Sequence, residues 1–171
     1  MPFLSKYRFP KMKLKVVWIG KTKNQPIKTL VADYLERIRR MTPCEILEIR
    51  DPVKGRDPQA AERIQRESND IARLLPKVAF IVALDEAGRQ YGSEEFAGWL
   101  ETEQNSGTRE IAFIVGGPDG LGRETVARAR MVLSLGKMTW THEMCRALLL
   151  EQIYRALCIL NKIPYHKGSS R

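Results

Sequence analysis

The sequence predicts one α/β domain built on a mostly parallel sheet. Short β-branched runs alternate with stretches of helical periodicity, the order that gives a parallel sheet with helices on its faces. Two of those runs, VAFIVAL at 78–84 and IAFIV at 111–115, are apolar throughout, as strands covered on both faces are. No internal repeat, low-complexity linker or composition break divides the 171 residues, a length that one domain commonly fills.

Taken in order, KLKVVWI at 13–19 is short and β-branched and ends at Gly20, which predicts a first strand. A polar stretch with Pro26 leads into Leu30, Val31, Tyr34, Leu35 and Ile38, spaced for one face of a helix. EILEI at 45–49 alternates as a second strand, and DPVKGRDP at 51–58 is a loop. Residues 59–75 predict a helix with Ile64, Ile71, Leu74 and Leu75 on one side, stopped by Pro76. After the third strand at 78–84, Ser93 is placed to cap a helix carrying Phe96, Trp99 and Leu100, with Gly107 as its stop. The fourth strand at 111–115 is followed by GGPDGLG, a short helix at 124–130 and a fifth strand at 132–135. GKMTWTH then leads, with Thr141 as N-cap, into a last helix over about 143–161.

In RALLLEQIYRALCIL of that last helix only Arg146, Glu151, Gln152 and Arg155 are strongly polar; the latter three crowd one narrow stripe, and the rest is apolar nearly all round. A helix on the surface of a monomer exposes a broader polar face. The pattern predicts packing on the sheet on one side and on a second subunit on the other.

The net charge is +9, and the ends carry it: residues 1–40 hold eleven Lys and Arg against Asp33 and Glu36. Such segregation suits a polyanion such as nucleic acid, although a solvated basic surface has the same composition. No run approaches the ~18 apolar residues of a membrane span. The basic start MPFLSKYRFPK lacks an apolar stretch long enough for an export signal, so the expected location is the cytoplasm. Cys44, Cys145 and Cys158 form no C-x-x-C pair, which fits reduced thiols rather than a disulfide framework or a zinc ribbon.

Two loops leave strand ends ahead of helices, the position where open α/β sheets bind ligands. Gly116–Gly122 lacks the G-K-[ST] of a Walker A loop and the spacing of G-x-G-x-x-G, so by itself it reads as a ligand loop or a tight turn. LSLGKMTWTH at 133–142 has small residues and hydroxyls suited to an adenine ring, or is an ordinary connection. His142-x-x-Cys145 has no second ligand pair, so no metal is expected. A flavodoxin-like redox domain would need a Ser/Thr-rich phosphate loop, which is absent. Tyr165-His166-Lys167 joins an aromatic, a titratable nitrogen and a base, a group able to stack on an unpaired nucleotide, or is a frayed tail.

The series IGK, ALDEAG, FIVGGPDGLG, LSLGKMTWTHEMCRALLLEQIYRA and PYHK resembles, in order and spacing from Met12 to Lys167, the ribosomal RNA large subunit methyltransferase H family of the SPOUT class. The resemblance implies a C-terminal trefoil knot, an obligate homodimer, and methyl transfer from S-adenosylmethionine to N3 of a pseudouridine in a stem-loop of large-subunit ribosomal RNA. It implies cofactor contacts at Leu84, Gly116, Leu135, Gly136, Lys137, Met138, Thr139 and Trp140. It also implies a substrate side at Arg155, Tyr165 and His166, offered to the partner's site, with His166 as first candidate to assist loss of the N3 proton. Gly136 stands where many members have Ser, and Thr141 where Pro is usual. Residues 1–11 read as an extension, 12–167 as the methyltransferase domain and 168–171 as a tail. A non-catalytic dimeric RNA-binding module that keeps the cofactor fold is the alternative.

Overall fold

The computed structural model of the chain describes residues 12–50, 59–75 and 80–165. The N-terminal extension, the loop at 51–58, Pro76 and His166 lie outside the described residues. Strands β1 (Lys13–Ile19), β2 (Cys44–Ile49), β3 (Phe80–Gln90), β4 (Glu110–Val115) and β5 (Met131–Ser134) alternate with helices α1 (Gln25–Arg39), α2 (Ala60–Leu74), α3 (Ser93–Asn105), α4 (Arg123–Arg128) and α5 (His142–Leu160). All five strands run parallel, in the order β2-β1-β4-β3-β5.

Alternation along the inner strands builds two apolar layers. Leu14, Val16 and Trp18 of β1, with Ile111, Phe113 and Val115 of β4, face a cluster completed by α1, α3 and α5. Val17, Ile19, Ala112 and Ile114 face the opposite cluster, with Ile71 and Leu75 from α2. The sheet is therefore covered on both faces, as its apolar runs predict. Helix α5 packs between α1 and α3 of its own chain, burying Leu149, Leu150, Ile153, Ala156 and Leu157. That arrangement accounts for most of its apolar circumference within one chain, so the breadth of the apolar face alone does not demand a partner.

Local chemistry explains the boundaries. Asn24 caps α1 through Oδ1, which accepts from the Ile27 N–H at 3.1 Å. Two expectations shift. The cap of α3 is Gly92 rather than Ser93: the Glu95 carboxylate accepts the Gly92 N–H at 2.7 Å, and the Ser93 hydroxyl donates to Gln152 on α5 instead. Strand β3 also runs past Leu84 to Gln90, because Leu84 and Arg89 both pair with Leu133 across a wide bulge. Gly88 makes that crossing feasible, since a Cβ there would lie 2.7 Å from the Leu133 carbonyl carbon. Burial pushes the Cys44 thiol up to about 12, in keeping with a packing role for this cysteine.

Candidate functional site

The carboxyl ends of β3, β4 and β5 and the start of α5 enclose a cleft of about 660 Å³. The β3 bulge contributes Leu84 to Ala87, the GGPDG loop contributes Val115 to Leu121, and the β5–α5 connection contributes Leu133 to Gly136 and Met138 to Trp140. Thr141, His142 and Cys145 close the wall from α5. Of the expected cofactor residues, Leu84, Gly116, Leu135, Gly136, Met138, Thr139 and Trp140 meet there, while Lys137 is exposed and off the wall. Met138 is 75% exposed and Trp140 41%, which puts two large apolar side chains in solvent around the cleft.

The GGPDG loop is tight because it folds on itself. Gly117 and Gly120 form an isolated antiparallel bridge. A Cβ on Gly116 would lie 2.7 Å from the Gly120 carbonyl carbon, so Gly116 is required by the loop's own backbone rather than by open space for a ligand. Helix α2 braces the loop from outside the cleft. Arg63 pairs with Asp119 at 2.8 Å, and buried Glu67 faces Gly117.

In the β5–α5 connection the Ser134 hydroxyl donates to the Gly136 carbonyl at 2.9 Å and accepts the Gly136 N–H at 3.2 Å. A hydroxyl two residues earlier therefore stitches the segment around Gly136. Thr141 has φ −63°, a value proline also takes, and its Oγ1 accepts from the Met144 N–H at 3.3 Å. Thr141 thus keeps a backbone conformation open to proline and supplies a helix cap.

The first turn of α5 is anchored to the IGK segment. Glu143 accepts the backbone N–H groups of Lys23 at 2.9 Å and Asn24 at 3.0 Å, which hold its carboxyl below the usual range. Fully buried Arg146 donates to the Ile19 carbonyl at 2.6 Å and to Thr22 at 2.9 Å, and lies 5.0 Å over the Trp18 ring. Burial, then the nearby Arg146 charge, lowers the His142 pKa from its ordinary 6.5.

Arg155 and Tyr165 gather elsewhere, near the other end of α5. The Arg155 guanidinium sits 4.9 Å from the Tyr165 ring centroid, and that ring packs edge-on against Tyr154 at 4.8 Å. Within one chain the two groups of expected site residues are therefore not brought together: Arg155 follows His142 by a rise of ~20 Å along the helix axis.

The family described as Predicted SPOUT methyltransferase matches residues 12–166. Ribosomal RNA large subunit methyltransferase H of Trichlorobacter lovleyi is 44% identical over 155 residues, 91% of this chain and 99% of that protein. The chain belongs to the ribosomal RNA large subunit methyltransferase H family of SPOUT methyltransferases. The Geobacter metallireducens protein of the same name is 45% identical over 156 residues, again 91% and 99% of the two chains. Solved structures share the fold at low identity. A probable methyltransferase from Bordetella pertussis Tohama I aligns with TM-score 0.54 at 14% identity, covering 85% of this chain and 96% of that one. A probable methylase family protein from Haemophilus influenzae Rd KW20 gives 0.52 at 13%, covering 94% and 72%. In this SPOUT methyltransferase the residues not singled out from motif reasoning are the carboxylates Asp85 and Glu86 on the cleft wall. The ALDEAG string contains both, but their approach to the β5–α5 connection depends on the bulge.

Proposed function

We propose that this methyltransferase moves a methyl group from S-adenosylmethionine to N3 of a pseudouridine in large-subunit ribosomal RNA, in the cytoplasm, as a homodimer with a C-terminal trefoil knot. The observation that carries the reading is the cleft where the GGPDG loop, the β3 bulge and the 135–140 connection converge. Its lining fits such a cofactor: Leu84, Val115, Leu133 and Leu135 offer an apolar wall for adenine, and Gly116 and Gly117 present backbone. When bound, S-adenosylmethionine supplies an electrophilic methyl group on sulfonium sulfur. Lys137, exposed beside the wall, contributes backbone only.

The dimer explains the separation of the two groups of residues. Arg155 and Tyr165 are too far along α5 to serve their own cleft, so they complete the partner's, with His166 following directly. Leu30, 46% exposed on α1, and the exposed apolar residues at the cleft supply surface for association. The chain's own task is positioning, which can supply most of the rate of an in-line transfer. Arg155 lends positive charge that favours the N3 anion, and His166 is the proposed acceptor of the proton.

Labelled methyl transfer to ribosomes from a strain lacking the gene tests the reading. Label is expected in large-subunit RNA, at a pseudouridine. A protein that binds this RNA yet neither binds S-adenosylmethionine nor transfers label would be a binding module instead.

A further inference from the structure

The chain carries a net charge of +9, yet its cleft is acidic. Among the described residues the wall includes Asp85, Glu86 and Asp119 but no Lys or Arg. Asp119 is matched by Arg63 at 2.8 Å. The partners shown for the other two are uncharged. Asp85 Oδ1 accepts the Ala87 N–H at 2.9 Å, and Glu86 Oε2 accepts the Thr139 hydroxyl at 3.2 Å. The second contact joins the β3 bulge to the 135–140 connection, so a negative charge sits where two of the cleft's three loops meet. His142, on the cleft wall from α5, is held toward its neutral form by burial and supplies little compensating charge at neutral pH.

We propose that Asp85 and Glu86 form a charge-selective wall that raises affinity for a sulfonium cofactor relative to the thioether left after transfer. The inference rests on the S-adenosylmethionine reading above. Loss of the methyl group returns the bonding pair to sulfur, so the spent molecule carries one positive charge fewer. Its adenosine and amino-acid portions are unchanged. Two carboxylates without cationic partners on the wall therefore distinguish the two ligands by charge alone. The selection favours release of the product and reloading of the cleft.

The test is titration calorimetry of the full chain with S-adenosylmethionine and with S-adenosylhomocysteine. Glu86→Gln and Asp85→Asn keep the oxygens that accept from Thr139 and Ala87 and remove only the charge. Each variant is expected to lose about threefold to tenfold in affinity for the sulfonium, the scale of one unit charge a few ångströms away at a half-exposed site. Affinity for the thioether should stay within about twofold, so the ratio of the two falls. In the unaltered chain the same ratio should fall as salt is raised, a check that needs no variant. Equal losses for both ligands, or a ratio insensitive to both substitution and salt, would overturn the proposal and leave the methyltransferase reading intact. If the unaltered chain binds neither ligand, the methyltransferase reading itself fails and this one with it.

Discussion

The Tyr165 hydroxyl donates to Glu151 Oε1 at 3.1 Å, and Arg155 Nε donates to the same oxygen at 3.0 Å. One carboxylate therefore gathers both described members of the proposed substrate group. Burial, and then the Tyr34 hydroxyl 3.2 Å away, push the Tyr165 phenol well above the usual tyrosine range, so it remains a donor. Glu151→Gln removes the charge that orients Arg155. Transfer is expected to fall about tenfold through loss of a charge-assisted contact. Cofactor affinity, measured by calorimetry, should be unchanged because the cleft lies at the other end of α5.

Mixing two inactive proteins checks whether that group acts across the dimer. Gly116→Val disables the cleft, since even its Cβ meets Gly120 backbone at 2.7 Å. Arg155→Ala disables the substrate group. If the group serves the partner, each mixed dimer holds one intact site, and random exchange returns about a quarter of full activity. Activity that stays at background after subunit exchange would place the group in its own chain's site.

Thr141 separates two contributions to the start of α5. Thr141→Ala loses the cap oxygen and is expected to cost about 1 kcal/mol in denaturant unfolding. Thr141→Pro loses the same oxygen but suits the existing φ of −63° and restricts the unfolded chain, so its cost should be smaller. A proline variant less stable than the alanine variant would contradict this account.

His142 gives the fold an acid-side limit. Its folded pKa lies below the ordinary 6.5, so the unfolded chain binds more protons in that range. The stability it contributes is present above 6.5 and is lost as pH falls through the lower folded value. Denaturant midpoints compared between roughly pH 8 and pH 5 should fall less for His142→Asn than for the unaltered chain.

Much of this architecture is legible in the sequence because the signals are local. The run at 13–19 is a strand over the same residues that its β-branched character marks, and the two glycine-bearing strand-end loops do border one cleft. What escapes are features created by distant partners. The third strand is expected to end at Leu84, yet Arg89 and Gln90 pair with Leu133 and Ser134. Glu67 falls at the spacing of the apolar face between Ile64 and Ile71, where a carboxylate is unexpected, and α2 buries it against Gly117. Leu30 and Leu74 fit their apolar stripes and are nevertheless exposed, at 46% and 45%, because no described element covers them. The acidic character of the cleft is similarly invisible, since Asp85 and Asp119 come from loops on different strands.

The strand order has a consequence for the making of the protein. β1 lies between β2 and β4, and its central partner begins only at Glu110. On a ribosome adding ~5–20 residues each second, Val16 and Trp18 wait on the order of 5–20 s for that neighbour. Until then one edge of β1 is unpaired and its apolar faces are incompletely covered. The sheet cannot close before most of the chain has emerged, so folding is a late and non-local event, slow for a domain of this size and dependent on protection of the nascent N-terminal third.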